Sequence, residues 1–367
     1  MGGLSPRRTP ESILSPSPVL ALDLGGTHIR SAVVLPDGAR LARNATVTPS
    51  AEGPAAIVDA CIAALRTARS AAPADVADRL VGIGISSPGP VDPFTGTVVE
   101  PPNLGPDFHH IPLARDVEAA LELPTFLDRD TNVAALGEST FGAGRGCDDF
   151  IYLTVSTGIG GGIVSGGRLF HGPDGLAGEL GHVPVMLDGP RCGCGGTGHL
   201  EAVASGTALA RDARAAVDGG DRGTLAARAA VIGTAALSAL DVAAGEDAGD
   251  PTCTALMTRA RRAIAVACVG FVNTFNPHRI IIGGAIADGQ GERLLGPVRE
   301  TIAAEAFEGL ARHVEVLAPL LGADVSLAGA HPLVTVHLDR GIGTDGPVRP
   351  RGSSARSEDP AVHVLPT

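Results

Sequence analysis

Between residues 178 and 201 the chain reads GELGHVPVMLDGPRCGCGGTGHLE, placing two histidines, two cysteines and two glutamates in a glycine-rich stretch with little capacity for regular structure. Cys192 and Cys194 stand in CxC spacing, with His182 before them and His199 after them. Together they supply four soft or borderline donors, the number and type that a closed tetrahedral zinc site takes. A CxC pair alone would equally suit an idle, reduced turn; the two histidines favour a metal, which would replace the core this segment lacks. Glu179 lies just before His182 and Glu201 just after His199, so an ion there would fix where two carboxylates point. Carboxylates of fixed direction suit recognition of a polyol.

Three further groups could act beside such a site. DLGGT, Asp23 to Thr27, stands between two apolar runs. Its glycines Gly25 and Gly26 let backbone N–H groups approach an anion, the Thr27 hydroxyl adds a bond, and Asp23 can hold magnesium through water. A plain tight turn would use the same residues. The pattern recurs, however, as STGIGGG from Ser156 to Gly162, and two such hairpins can face each other across a cleft with a polyphosphate between them. Asp130, in LDRDTNVAALGE, ends a short strand and begins a helix. It either caps that helix or, facing a cleft, takes the proton from an attacking hydroxyl, worth about 10² to 10⁴ in rate; the helix N-terminus favours its ionised form. Asn103, in the Pro- and Gly-rich loop up to residue 105, offers a donor and an acceptor to vicinal hydroxyls, or simply forms a turn. Gly283 and Gly284 follow the run RIII, where glycine either lets a nucleotide lie flat on the backbone or makes a strand-to-helix turn.

The elements that must position these groups are legible as alternating strands and helices. Val19 to Leu24 and Ile29 to Leu35, joined by the glycine pair and followed by the turn Pro36-Asp37-Gly38, read as a hairpin beginning a sheet. An amphipathic helix over 54–72, a strand at 80–86, a helix at 111–121, a strand at 125–128 and a helix at 131–140 follow. At Phe150 the plan of apolar strand, glycine hairpin and second strand starts again, so the chain reads as internally duplicated. An Ala-rich helical region over 199–243, a long helix over 253–275, a buried strand at 279–282 and a helix after Gly291 complete an α/β class. The ends, 1–17 and 339–367, are aperiodic and rich in Pro, Ser, Gly and Arg, and are expected to be disordered tails.

Composition narrows the ligands. A net charge of -12 without a basic run argues against nucleic acid. Aromatics are 3% of residues, with no Trp and one Tyr, so a sugar would have to be held by hydrogen bonds rather than by ring stacking. Cys61, Cys147, Cys253 and Cys268 are scattered singly in apolar or helical surroundings, as reduced cytosolic thiols are. With no signal peptide and no apolar run long enough to span a membrane, a soluble cytoplasmic protein is expected.

Taken in order, LALDLGGT, SPGPVD with PPNLG, DTNVAALGE, STGIGGGIVSGG, GELGH, CGCGGTGHLE and NPHRIIIGGAI resemble the ROK family of bacterial sugar kinases and repressors, in the hexokinase and actin-like superfamily. The resemblance runs from about residue 18 to 335. It implies a two-domain, ribonuclease H-like α/β fold with an interdomain cleft, residues 18–130 forming one domain and 131–338 the other, the last helix returning to the first. It implies transfer of phosphate from ATP to a hexose hydroxyl, usually the 6-OH of glucose or a related sugar, with Asp130 as the base. Asn103, Arg129, Glu179, His182 and Glu201 would then line the sugar; His182 would contact the sugar through one ring nitrogen and zinc through the other. Asp23, Gly25, Gly26, Thr27, Thr157, Gly158, Gly160, Gly283 and Gly284 would line the nucleotide, with Mg²⁺ neutralising the transferring phosphate. Homodimers are also suggested.

Two positions depart from the family pattern. His199 stands where a third cysteine is usual, an exchange zinc tolerates. Arg129 stands where an Asn beside the catalytic Asp is usual, and Arg has donors only. Either Arg129 turns away, or the preferred sugar is not plain glucose; an amino or N-acetylated hexose, or a sugar-binding regulator without kinase activity, are the alternatives. A DNA-binding repressor is not expected, since about 17 residues precede the first strand.

Overall fold

A computed structural model describes residues 17–339. The expected tails therefore lie outside the described residues, except for their inner ends Ser17 and Asp339. The strands are β1 (Val19–Leu24), β2 (His28–Val34), β3 (Arg40–Val47), β4 (Ile83–Ser87), β5 (Val91–Asp92), β6 (Thr97–Val98), β7 (Thr125–Arg129), β8 (Phe150–Val155), β9 (Ile159–Ser165), β10 (Arg168–Leu169), β11 (Arg279–Gly283) and β12 (Glu315–Leu317). They form two five-stranded sheets of the same plan, ordered β3-β2-β1-β4-β7 and β10-β9-β8-β11-β12, and the small ribbon β5-β6. In each large sheet the first three strands are antiparallel neighbours and the remaining two join in parallel. The duplication read from the two glycine hairpins is thus a duplication of whole sheets.

β1 is buried along its whole length because both faces are covered. Its period of two sends Leu20, Leu22 and Leu24 into a core with Ile57, Cys61 and Leu65 of helix Pro54–Ala71. Val19 and Ala21 point the other way, to Leu327, Ala330 and Leu333 of helix Val325–Asp339. β8 repeats this arrangement: Ile151, Leu153 and Val155 face the helical layer containing Pro251–Phe275, and Phe150 and Tyr152 face Ala134 and Ala135 of helix Asp130–Phe141.

These two sandwiched helices connect the halves. Asp130–Phe141 leaves β7 of the first sheet and packs on β8 and β9 of the second, whereas Val325–Asp339 follows β12 and packs on β1, β2, β4 and β7. Where they cross, a Cβ on Gly329 would lie 1.8 Å from Val133 O, and one on Gly137 would lie 2.7 Å from Val325 O, so only glycine admits the approach. Glu138, fully buried, accepts the N–H groups of Ala143, Leu320 and Leu321, tying the first helix to the chain entering the second.

Some expectations shift in detail. β3 was not anticipated, and the helix expected from 111 begins at Leu113, after Pro112. The Ala-rich region resolves into Leu200–Ala204, Gly206–Asp218, Thr224–Ile232 and Ala239–Asp247, interrupted around Ser205, Gly219, Gly220, Gly223 and Gly233. Among the described residues no helix is long and apolar enough to cross a membrane.

Candidate active site

The four residues read as metal donors converge. The ligand atoms of His182, Cys192, Cys194 and His199 all lie within 4.8 Å of one another. Cys192 Sγ is 3.6 Å from His182 Nδ1, and Cys194 Sγ is 3.2 Å from His199 Nδ1. Zn–S bonds of about 2.3 Å and Zn–N bonds of about 2.0–2.1 Å give tetrahedral edges of about 3.6 Å, so the donor set suits zinc. Local structure explains the convergence: Cys192 N–H donates to Gly196 O and Gly195 N–H to Cys192 O, curling the CxC turn, while Leu200 N–H donates to Val183 O and brings His199 back beside His182. With His182 Nδ1 turned to sulfur, its Nε2 faces Glu179 Oε2 at 3.8 Å.

Glu201, in the first turn of helix Leu200–Ala204, reaches the second glycine hairpin, where its Oε2 accepts the N–H of Ile159 at 2.9 Å. A Cβ on Gly158 would lie 2.6 Å from the same oxygen. The hairpin is also braced from beyond: Gly206 N–H donates to Ser156 O at 2.8 Å and Thr207 N–H to Thr157 O at 3.1 Å. Gly160 faces Thr131 Cγ2, which a Cβ would approach to 2.8 Å, so it serves packing against the Asp130 helix rather than open space.

The first hairpin is held by residues the sequence did not single out. Thr48 Oγ1 donates to Gly25 O at 2.6 Å and Ser50 Oγ to Gly26 O at 3.3 Å. Gly26 abuts Asn103, whose carbonyl oxygen would be 2.7 Å from a Cβ there, so the Pro-rich loop and the phosphate-type hairpin touch. Thr27 and Asn103 are exposed. Both oxygens of Asp23 have partners: Oδ1 accepts Ser86 Oγ at 2.9 Å, and Oδ2 accepts Arg30 Nε at 2.9 Å. With Arg30 as its ion-pair partner, Asp23 has little room to ligate a metal directly.

Asp130 is the first residue of its helix, and its Oδ1 accepts the N–H of Thr131 at 2.7 Å. Its pKa is raised to about 6, chiefly by removal from bulk water among the surrounding walls, with the charges of Asp23 and Glu179 adding to the rise; the Thr131 bond and the Arg129 charge oppose it. The residue is exposed, so solvent moderates the rise. A carboxylate of this pKa, ionised at neutral pH yet basic enough to accept a proton, has the property a general base needs.

Arg129 does turn away. Its side chain is buried and its hydrogen bonds run to Thr131, Gly161, Ala177 and Glu179, not to Asp130. Gly283 and Gly284 have structural reasons to be glycine: a Cβ on Gly283 would meet Pro319, and Gly284 sits at φ +96°. Their successors Ala285 and Ile286, with Thr157, Leu237, Leu240 and Met257, line a mostly apolar cavity of about 610 Å³ beside the second hairpin. Its size and walls suit a planar heterocycle, with Arg214, Ser238 and Gln290 as polar lining. The sequence reading missed this cavity, because its walls come from Ala- and Leu-rich helices that look like any core.

Two glycine hairpins from duplicated sheets, an apolar cavity beside one of them and a carboxylate between them define the hexokinase and actin-like class of two-domain folds. The ROK family model matches residues 19–336, and the chain belongs to the ROK family. It is 35% identical over 316 residues to a glucokinase of Thermotoga maritima, covering 86% of this chain and 96% of that one. It is 34% identical over 312 residues to an N-acetylmannosamine kinase of Shigella flexneri, covering 85% and 96%. A ROK family glucokinase from Streptomyces griseus, solved in complex with glucose and AMPPNP, superposes with a TM-score of 0.71 at 34% identity, covering 86% of this chain and 99% of that one.

Proposed function

We propose that this ROK family chain is an ATP-dependent hexose kinase in which Asp130 takes the proton from a sugar hydroxyl as that oxygen attacks the terminal phosphorus of ATP. The observation that carries the reading is the position of Asp130: exposed at the start of the helix that follows β7, electrostatically coupled to Asp23 of the first hairpin and to Glu179 beside His182, with its pKa raised to about 6. The backbone N–H groups of Gly26, Thr157 and Gly158 and the Thr27 hydroxyl hold the phosphates, Gly25 shaping the turn through its own N–H bond to His28 O, and the apolar cavity takes the adenine. When bound with ATP, Mg²⁺ would neutralise charge at the transferring phosphate, with Asp23 able to reach it only through water.

Asn103, Glu179, His182 Nε2 and Glu201 bind the sugar hydroxyls. His182 Nδ1, Cys192, Cys194 and His199 hold a structural zinc ion that stiffens this wall; the convergence of their donor atoms supports that assignment. The relatives act on glucose or on N-acetylmannosamine, by their names, at 35% and 34% identity, so the sugar is a hexose with glucose and N-acetylated hexosamines as the first candidates. We take 18–130 and 131–338 as the two domains, with helix Val325–Asp339 returning to the first, and a cytoplasmic homodimer as the working form; Cys61, Cys147, Cys253 and Cys268 are free thiols, as suits that compartment.

An ADP-release assay over glucose, mannose, glucosamine and N-acetylmannosamine tests the reading. Release that depends on one of these sugars is expected; silence with all of them would favour a sugar-binding regulator.

A further inference from the structure

Two adjacent residues at the end of β7 grip the loop that carries Glu179. Asp128 is 1% exposed, and its Oδ2 lies 2.6 Å from His171 Nε2. Its Oδ1 accepts the Arg129 N–H at 2.7 Å and the Asn132 amide at 2.9 Å. Arg129 donates from Nε to Thr131 Oγ1 at 3.0 Å, and from Nη2 to Gly161 O at 3.0 Å and Ala177 O at 2.9 Å. Its Nη1 pairs with Glu179 Oε1. The first sheet thereby holds the loop near its start through His171 and at its end through Ala177 and Glu179, although the loop follows β10 of the second sheet.

The consequence lies in what Glu179 can still do. A glutamate on an exposed loop samples several rotamers and can offer both oxygens to two vicinal hydroxyls. Here Oε1 is taken by a guanidinium that is itself immobilised by three further bonds. Only Oε2 remains toward the cleft, beside His182 Nε2 at 3.8 Å. Arg is the residue for this task, because its planar fork spans several acceptors at once, which neither Lys nor Asn does.

We infer that Arg129 is a specificity-determining positioning residue: it fixes Glu179 so that the pocket wall offers one carboxylate oxygen next to His182 Nε2, and sugars are selected by the single hydroxyl that donates to that oxygen. The inference rests on the sugar-kinase reading above and names what that site selects, a pyranose with an unsubstituted hydroxyl at one position. A sugar lacking that donor leaves the carboxylate oxygen unpaired, whereas changes at the neighbouring hydroxyl are tolerated.

The test compares wild type with Arg129→Met, Arg129→Lys and Glu179→Gln over glucose and its 1-, 2-, 3- and 4-deoxy analogues. In the wild type, of the two adjacent hydroxyls that Glu179 could reach, the deoxy analogue at one should raise the sugar KM by on the order of tenfold or more while the analogue at its neighbour changes it little, the loss expected for one hydrogen bond to a charged acceptor. In Arg129→Met that contrast should collapse to under about threefold, with the KM for ATP unchanged within about twofold. Arg129→Lys, which keeps the charge without the fork, should behave like Arg129→Met. Glu179→Gln retains the loop's backbone bond from Arg129 to Ala177 O and guards against misfolding; it should erase the same contrast. A deoxy pattern identical in wild type and Arg129→Met, or a fall in kcat with all KM values unchanged, would overturn the inference. If the wild type releases no ADP with any sugar, the kinase reading fails separately. Calorimetric titration with the same sugars then decides the positioning role, which stands if Arg129→Met flattens the deoxy pattern and falls if affinities are indifferent to it or no sugar binds.

Discussion

Glu201 Oε2 accepts the backbone N–H of Ile159 at 2.9 Å, and this one bond joins the metal-donor segment to the second glycine hairpin. In the proposed kinase Glu201, two residues after His199, would serve two functions at once, binding the sugar and bracing the second hairpin. Replacing Glu201 with Ala should raise the KM for both sugar and ATP, each by roughly tenfold, since a hydrogen bond to a charged acceptor is worth about 1.5–3 kcal/mol. Glu201→Gln keeps an oxygen acceptor for Ile159 N–H and should restore the ATP value while leaving the sugar value impaired. Steady-state kinetics with each substrate varied in turn distinguishes the two effects.

The protonation state of Asp130 sets the pH profile. With its pKa raised to about 6, kcat/KM should fall tenfold per pH unit below about 6 and level off above about 7. Linkage has the opposite sign for stability. The folded pKa exceeds the ordinary value of 3.8, so the stabilising contribution is fully present below 3.8 and is lost as pH rises through about 6. At pH 7.5 Asp130→Asn should therefore melt no lower than wild type, and an unfolding scan below pH 4 should show no advantage for the variant. A variant that loses both activity and stability at neutral pH would point to a structural carboxylate.

Zinc removal should act on the sugar more than on the nucleotide. Metal analysis is expected to find about one zinc per chain, and Cys194→Ser or chelation should weaken sugar binding by tenfold or more as residues 182–201 loosen. ATP binding should change less, because the apolar cavity is lined from other helices. Well-folded, metal-free protein with full sugar affinity would remove zinc from the account.

Glu138 tests the connection between the halves. Its buried carboxylate satisfies the N–H groups of Ala143, Leu320 and Leu321, and each donor left unpaired costs about 1–3 kcal/mol. Glu138→Ala should lower stability in urea by roughly 3 kcal/mol or more, and Glu138→Gln, which retains one acceptor oxygen, by about half as much. A loss below about 1 kcal/mol for Glu138→Ala would mean that water replaces the carboxylate.

Much of this architecture was legible because apolar strands flank glycine pairs twice in the chain, which exposes the duplication directly. β3 was not, since RLARNATV is polar and largely exposed: it is an edge strand paired only with β2, so no hydrophobic alternation marks it. The convergence of His182, Cys192, Cys194 and His199 was legible from residue type and local spacing. The partners of Arg129 were not, because they lie 32, 48 and 50 residues away on another sheet and loop, and only the folded chain brings Gly161, Ala177 and Glu179 to one guanidinium. His171 escaped notice for the same reason, although its partner Asp128 stands two residues from Asp130. The glycines at 283 and 284 form the strand-to-helix turn that was one of their two sequence readings, through backbone geometry and contact with Pro319, just ahead of the cavity-lining Ala285 and Ile286.

The central claim, phosphoryl transfer from ATP to a hexose with Asp130 as base, is tested most directly by sugar-dependent ADP release measured in parallel for wild type and Asp130→Asn. The account predicts release by the wild type with at least one hexose and a fall of about 10² or more in the variant, with sugar binding retained in calorimetry. Undiminished turnover in Asp130→Asn, or no release by the wild type with any hexose, would contradict it.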